Sequence, residues 1–442
     1  MSALGKPKPA TKPSNPASAR PQTAYNKTVL SNGVRVISEE IPHVRSVSIG
    51  LWVDVGSRDE DPSTNGIAHF IEHMVFKGTR KRSIRDIAQS LESVGGYLNA
   101  FTGKEHTCFY ARVLDDFAPL AVDVITDLIL HPTFPEKELE KERGVVIEEL
   151  KNAEDDPDDI IHDYFDKALF GPHPVGFPVI GTAKNLQSFQ RDDLREFLGT
   201  HYVPSRTIIA AAGNIKHDDL VKLAERSYSD LRRTHTGERL RARPKPQKAR
   251  SSEYKRPIQQ AHVCLGTVGW SIKSRQRFPL MVLNSLLGDG MSSRLFQNIR
   301  EKYGFAYTVY SFANMLSDTG TFGAYTGTDT KHIEASIELI WKEFRKLQSK
   351  GVSKSELERT KAQLKGGMML SLESIPNRMM RLGTSELYFG QFNSMDSIVK
   401  HVEAVTSEDV HQIANELLHE ERFSTVVFRP EENQKSLPFS PN

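Results

Sequence analysis

Two stretches of this 442-residue chain read as versions of one another. "KELEKERGVVIEELKNAEDD" (137–156) aligns with "SELERTKAQLKGGMMLSLES" (355–374), and Glu-Leu-Glu falls in the same place in both. The pattern ahead of each copy is also shared: strand, helix, strand, strand, helix. In the second half it runs through "CLGTVGW", "PLMVLNSLL", "YTVYSFA", "GTFGAYTG" and "IEASIELIWKEF". A chain built by duplication must fold as two similar units, and this one is long enough for two domains of about 200 residues.

The first copy spells out what the unit contains. "TVLSNGVRVISEE" is a hairpin turning at Asn32-Gly33, and "SVSIGLWVDVGS" is a strand with Val47, Ile49, Leu51, Val53 and Val55 on one face. Asn65-Gly66 breaks the chain before a short helix. Ser83 caps a further helix that Gly95-Gly96 ends. "YLNAFTGKEHTCFYARV" gives two strands, "FAPLAVDVITDLIL" a helix, and "PEKELEKERGVVIEELKNAE" a strongly charged one. Helices and antiparallel strands mix without the regular alternation of a doubly wound sheet. The expectation is an α+β fold of two homologous α/β-roll domains, each an antiparallel-rich sheet with helices packed on one face. The domains are expected at 25–231 and 258–442. A basic tail, 1–24, lacks acidic residues and is rich in proline, which suits disorder. The segment 232–257, basic and poor in apolar residues, reads as a solvated linker.

Composition removes several function classes. A net charge of +2 gives no push toward nucleic acid or membrane surfaces. No apolar run approaches the ~20 residues of a membrane span. The two cysteines, Cys108 and Cys264, sit in apolar strand-like runs and read as buried thiols in a reducing compartment.

The chemistry concentrates in "HFIEHMVFKGT" (69–79). Helical residues four apart share a face, so His69 and His73 present both imidazoles to one point, with Glu72 on the flank. Two imidazoles and a carboxylate suit a catalytic zinc if a third ligand comes from elsewhere. An amphipathic helix burying Phe70, Met74 and Val75 would also explain the stretch. The helix from Pro135 to Glu154 offers Glu138, Glu142 and Glu149 near one face, and Glu142 and Glu149 flank its most apolar turn. His106, His131, His162, His173 and His201 have no partner at ligand spacing and read as structural.

With these residues the chain resembles the pitrilysin/insulinase metallopeptidases, in particular the mitochondrial processing peptidase branch and its bacterial relatives. The resemblance covers about 27–428. The family's His-x-x-Glu-His is followed, 76 residues after the second histidine, by a glutamate ligand, and Glu149 stands at that distance from His73. The resemblance implies one zinc ion per chain held by His69, His73 and Glu149, with Glu72 as general base and Glu142 orienting a ligand histidine. It implies that Asn99 and Ala100, in "GGYLNAFTGKEHT", bind substrate along an exposed strand edge. It also implies that Arg300 and Tyr307 bind substrate backbone and stabilise the tetrahedral intermediate. The second half has no His-x-x-Glu-His, and Gly367 stands opposite Glu149.

The implied activity is a zinc endopeptidase acting on peptides or unfolded, presequence-like polypeptides inside a dimeric chamber. The alternative is a non-catalytic or partner subunit of a heterodimeric processing peptidase. Long family members hold four such domains, so a chain with two implies a dimer. The presence of zinc ligands and the arginine–tyrosine pair in one chain favours a homodimer. A bacterial-like cytoplasmic setting suits the tail better than the mitochondrial matrix.

Overall fold

The computed structural model describes residues 25–229, 231, 241–245 and 247–431. The Asn32-Gly33 hairpin forms as expected, pairing β1 (Tyr25–Val29) antiparallel to β2 (Arg35–Glu40), with Gly33 at φ +101°. Next come β3 (Ser46–Val53), α1 (Ile67–Val75), α2 (Ile84–Glu92), β4 (Tyr97–Thr102) and β5 (Thr107–Leu114). Then follow α3 (Ala118–Leu130), α4 (Glu136–Glu154), α5 (Pro157–Phe170), α6 (Ala183–Ser188) and α7 (Arg191–His201). The half closes with β6 (Thr207–Gly213) and α8 (His217–Tyr228). The sheet order is β1-β2-β6-β3-β5-β4. Only β2–β6 is a parallel pair among these strands.

The second half runs β7 (Ser251–Arg256), β8 (Ala261–Gly269), α9 (Arg277–Gly288), a π-helical turn (Phe296–Glu301), β9 (Ala306–Met315) and β10 (Gly320–Thr328). It continues with α10 (Ile333–Lys350), α11 (Lys354–Ser371), α12 (Ile375–Phe389), α13 (Met395–Ala404), α14 (Ser407–Leu417) and β11 (Ser424–Pro430). Its order, β7-β11-β8-β10-β9, repeats that of β2-β6-β3-β5-β4, and β7–β11 is again the parallel pair. The duplication read from the charged helices therefore extends to strand order.

Within each half, helices cover one sheet face. Val47, Ile49, Leu51 and Val53 pack there with Phe70 and Met74 of α1, Ile125 of α3 and Leu220 of α8. The other face is not left to water. α12, from the second half, lays Ile375, Met379 and Leu382 on Ile37, Trp52, Cys108 and Ile208 of the first sheet. α5, from the first half, lays Ile161, Phe165 and Leu169 on Cys264, Tyr325, Val426 and Phe428 of the second. Each half thus completes the other's core, and both cysteines are buried in these shared layers.

In the segment 232–257 most of the described residues are exposed, but two features tie it to the fold. Ser251–Arg256 is strand β7, polar because it is an edge strand with no fully buried position. Arg241 is pinned by Asp59 at 2.9 Å, Asp54 at 2.8 Å and the Glu105 carbonyl at 2.7 Å. Beside it the buried Arg58 joins Glu105 to Asp318 of the second half, each at 2.7 Å. Arg241 and, with Glu154, Arg256 are thus paired with carboxylates of the same chain. The tail 1–24, and residues 232–240 and 246, lie outside the described residues.

Candidate metal centre

α1 starts at Gly66, whose φ of +99° and close approach to Gly181 leave no room for a side chain; an added Cβ would stand 2.8 Å from the Gly181 Cα. With no side-chain cap of its own, the helix takes one from upstream. The Glu60 carboxylate accepts the N–H groups of Gly66 and Ala68, both at 2.8 Å, and the Asn65 amide at 3.0 Å. Burial pushes the Glu60 carboxyl up to about 7, although these donors pull it down. Ile67, Phe70, Ile71 and Met74 are buried in the core, so His69, Glu72 and His73 occupy the remaining face.

α4 lies against this face and brings Glu149 to the two histidines. The three residues offer ligand atoms that all lie within 4.8 Å of one another. Glu149 oxygens stand 3.6 Å from His69 Nε2 and 3.3 Å from His73 Nε2. Tetrahedral ligands around an ion held at ~2.0–2.1 Å stand about 3.3 Å apart, so the spacing fits zinc. Burial, with the His73 charge adding to it, lowers His69 to a pKa of about 4, which keeps it neutral as a ligand must be.

His73 is held from behind. Its Nδ1–H donates to Glu142 at 2.9 Å, and Glu142 also accepts from Lys77 at 2.7 Å. Burial works against the charged Glu142 carboxylate, but the His73 and Lys77 bonds outweigh it and the pKa is lowered. For His73, burial is outweighed by Glu142 and by the charges of Glu149 and Glu72, and its pKa is raised.

Glu72 points into a cavity of about 420 Å³ that His69 and Glu149 also line. Burial raises its carboxyl above the ordinary glutamate range, opposed by a 2.6 Å hydrogen bond from Thr102. Ala100 lines the same cavity from β4, the free edge of the first sheet. Asn99 does not line it. Its Oδ1 instead accepts the Ala100 N–H at 2.8 Å, and its amide donates to the Tyr97 hydroxyl at 2.6 Å.

Arg300 and Tyr307 lie together but elsewhere. The guanidinium sits 4.9 Å from the Tyr307 ring and 4.7 Å from that of Phe296. Tyr307 is 73% exposed on β9, the edge of the second sheet, and neither residue lines the cavity. Gly367 of α11, opposite Glu149 in the duplication, faces open space, as does its neighbour Gly366.

Several residues escaped the sequence. Glu60 and Thr102 act across loops whose closure no spacing announces. Asp159, His162 and Asp163 line the cavity from α5, so His162, read from the sequence as structural, borders the site without joining the three candidate ligands. Its Nε2 meets the Tyr310 hydroxyl of the second half at 2.8 Å. Burial raises Asp163 to a pKa of about 6, Lys104 opposing and Asp166 and Asp159 adding to it. The 159/162/163 spacing on one helical face was the signal available for these three.

Comparison with known proteins bears on both halves. Residues 35–183 match the family described as insulinase (peptidase family M16), and 188–364 match the peptidase M16 inactive domain. The uncharacterized zinc protease YmxG of Bacillus subtilis is 43% identical over 406 residues, covering 92% of this chain and 98% of its own. An uncharacterized zinc protease of Mycobacterium tuberculosis is 40% identical, over 97% of this chain and 98% of its own. Among solved structures, a protease from Helicobacter pylori superposes with a TM-score of 0.86 at 22% identity, over 92% of this chain and 100% of that one. The M16 inactive domain structure from Pseudomonas fluorescens gives the same TM-score and identity, over 92% and 98%. At that identity the two structures speak for the fold.

Proposed function

Because the chain belongs to the insulinase family of peptidases, M16, we propose that it is a zinc-dependent endopeptidase of extended polypeptides, working from the inverted His-x-x-Glu-His motif. The observation that carries this reading is the convergence of His69, His73 and Glu149 within 4.8 Å, at a cavity that His69, Glu149 and Glu72 line. Zinc, when bound, polarises the scissile carbonyl and makes water acidic enough to react at neutral pH.

The residues of the chain do the rest. Glu72 accepts the proton of the attacking water and passes it to the departing amine. A carboxyl raised by burial suits both transfers, and Thr102 keeps it aimed. Glu142 fixes the His73 ring so that Nε2 faces the site. Substrate lies as an added strand on β4, with Asn99 and Ala100 meeting its backbone. The acidic wall of Asp159 and Asp163 suits basic side chains. Arg300 and Tyr307 act on the substrate bound by a partner copy, in a homodimer that encloses the chain being cut.

Metal analysis of the native protein, with peptide cleavage measured before and after chelation, tests the reading. About one zinc per chain and cleavage lost on chelation and restored by zinc are expected. A metal-free, inactive native protein would overturn it in favour of a non-catalytic partner subunit.

A further inference from the structure

The second half holds another cavity, which shares no lining residue with the zinc site. Its volume is about 460 Å³, inside the ~300–1,000 Å³ range of small-molecule sites. Phe278 and Met281 of α9, Met315 of β9, Met380 and Phe389 of α12 and Ile398 of α13 give it apolar, adaptable walls. α12 is the helix whose opposite face is buried on the first sheet. A ligand here would therefore rest on the element that ties the halves together.

The charge in this cavity is one-sided. Arg277 and Arg381 enter the lining, and no aspartate or glutamate does. Arg277 lies 4.5 Å from the Phe278 ring and 4.8 Å from that of Phe389, and donates to the Ile272 carbonyl at 2.7 Å. Arg381 donates to the Asn393 carbonyl and lies 4.6 Å from the Phe392 ring, while its buried Nε has no partner. Glu39 and Asp396 act on Arg381 electrostatically, but Glu39 already pairs with Arg378. Burial depresses both guanidinium groups below their usual pKa. Cations that enter an apolar cavity with no carboxylate in its lining are stabilised by an anion that brings its own hydrophobic body.

We propose that this cavity, walled on one side by α12, binds a small amphipathic anion, a carboxylate on an aliphatic or aromatic body. The carboxylate meets the guanidinium groups, and the body fills the Met- and Phe-lined space. Two sources carry this chemistry, a free fatty acid and the C-terminal residue of a short hydrophobic peptide.

Calorimetric titration of the full chain with decanoate, N-acetylphenylalanine and decanol tests this independently of peptidase activity. Saturable binding of one carboxylate per chain is expected, together with a raised melting temperature. Decanol should bind at least about tenfold more weakly, since it lacks the charge-assisted bonds. Arg277→Gln and Arg381→Gln should each weaken the carboxylate about tenfold and leave decanol unchanged. Met281→Trp, which fills the cavity, should abolish both, with the unliganded melting temperature of each variant as the control for folding. Tighter binding of N-acetylphenylalanine would assign the peptide terminus as the source, and tighter binding of decanoate the fatty acid. Absence of saturable binding below the micellar concentration, equal affinity for decanol, or affinity unchanged in Arg277→Gln and Met281→Trp would overturn the proposal.

Discussion

Thr102 and Glu60 shape the site without being ligands, and each has a measurable consequence. The Thr102 hydroxyl stabilises the ionised form of Glu72. Thr102→Val removes that bond, so the Glu72 pKa rises further, and the acidic limb of the pH profile for kcat/KM should move to higher pH. An unmoved limb would separate Glu72 from the titration. Glu60 acts through folding. Its pKa is about 7 in the folded chain against an ordinary 4.5, so the folded state binds the proton more tightly. Stability present below pH ~4.5 should therefore decline as pH rises toward ~7, by about 3 kcal/mol. Glu60→Gln removes the titrating proton, and denaturant titrations across this window should show a flatter profile than wild type. The difference in legibility between these residues is physical. His69, Glu72 and His73 announce themselves because a helix fixes their mutual geometry from spacing alone. Glu149 needed a family distance to be chosen over Glu142 and Glu138. Glu60 reaches α1 by a loop return, and Thr102 reaches Glu72 from a strand, and neither contact leaves a periodic trace.

At the level of elements, α5 and α12 carry the departure from what the sequence suggests. Amphipathic pattern tells that a helix has a face to bury, but not which sheet will receive it. α12 approaches the first sheet closely enough that a Cβ at Gly383 would meet the Trp52 ring at 2.2 Å, whereas one at Gly366 of α11 would meet nothing within 4 Å. The same glycine-to-alanine change should thus have opposite signs at two helical positions. Gly383→Ala should destabilise by about 1–3 kcal/mol through overpacking. Gly366→Ala should stabilise by roughly 0.5–1 kcal/mol through helix propensity. Equilibrium unfolding of both variants checks this, and a neutral Gly383→Ala would mean that α12 docks less tightly than its contacts indicate. Arg241 has no sequence signature for a related reason: it looks solvated in a basic run until Asp54, Asp59 and Glu105 are brought to it in space.

At the scale of the molecule, the duplicated strand order was foreshadowed by one pair of aligned helices, while the reciprocal cover of the sheets had no signature in either copy. That cover fixes where the second half's functional residues can go. With α5 and α12 exchanged, β9 runs along the edge of its sheet, and Tyr307 stands 73% exposed with Arg300 stacked on it. The pair is absent from the lining of its own chain's zinc cavity. If the pair serves a partner's cavity, as proposed, two defective chains can repair one another. Glu72→Gln chains keep Tyr307, and Tyr307→Phe chains keep Glu72. Mixed in equal amounts with subunit exchange, half of the dimers are mixed, and each mixed dimer holds one intact site and one doubly defective site. Activity should therefore recover to about a quarter of the wild-type sites, while each variant alone stays far below that level. Recovery that depends on total protein concentration would tie the rescue to assembly. An unrescued mixture that nevertheless forms mixed dimers would count against donation in trans.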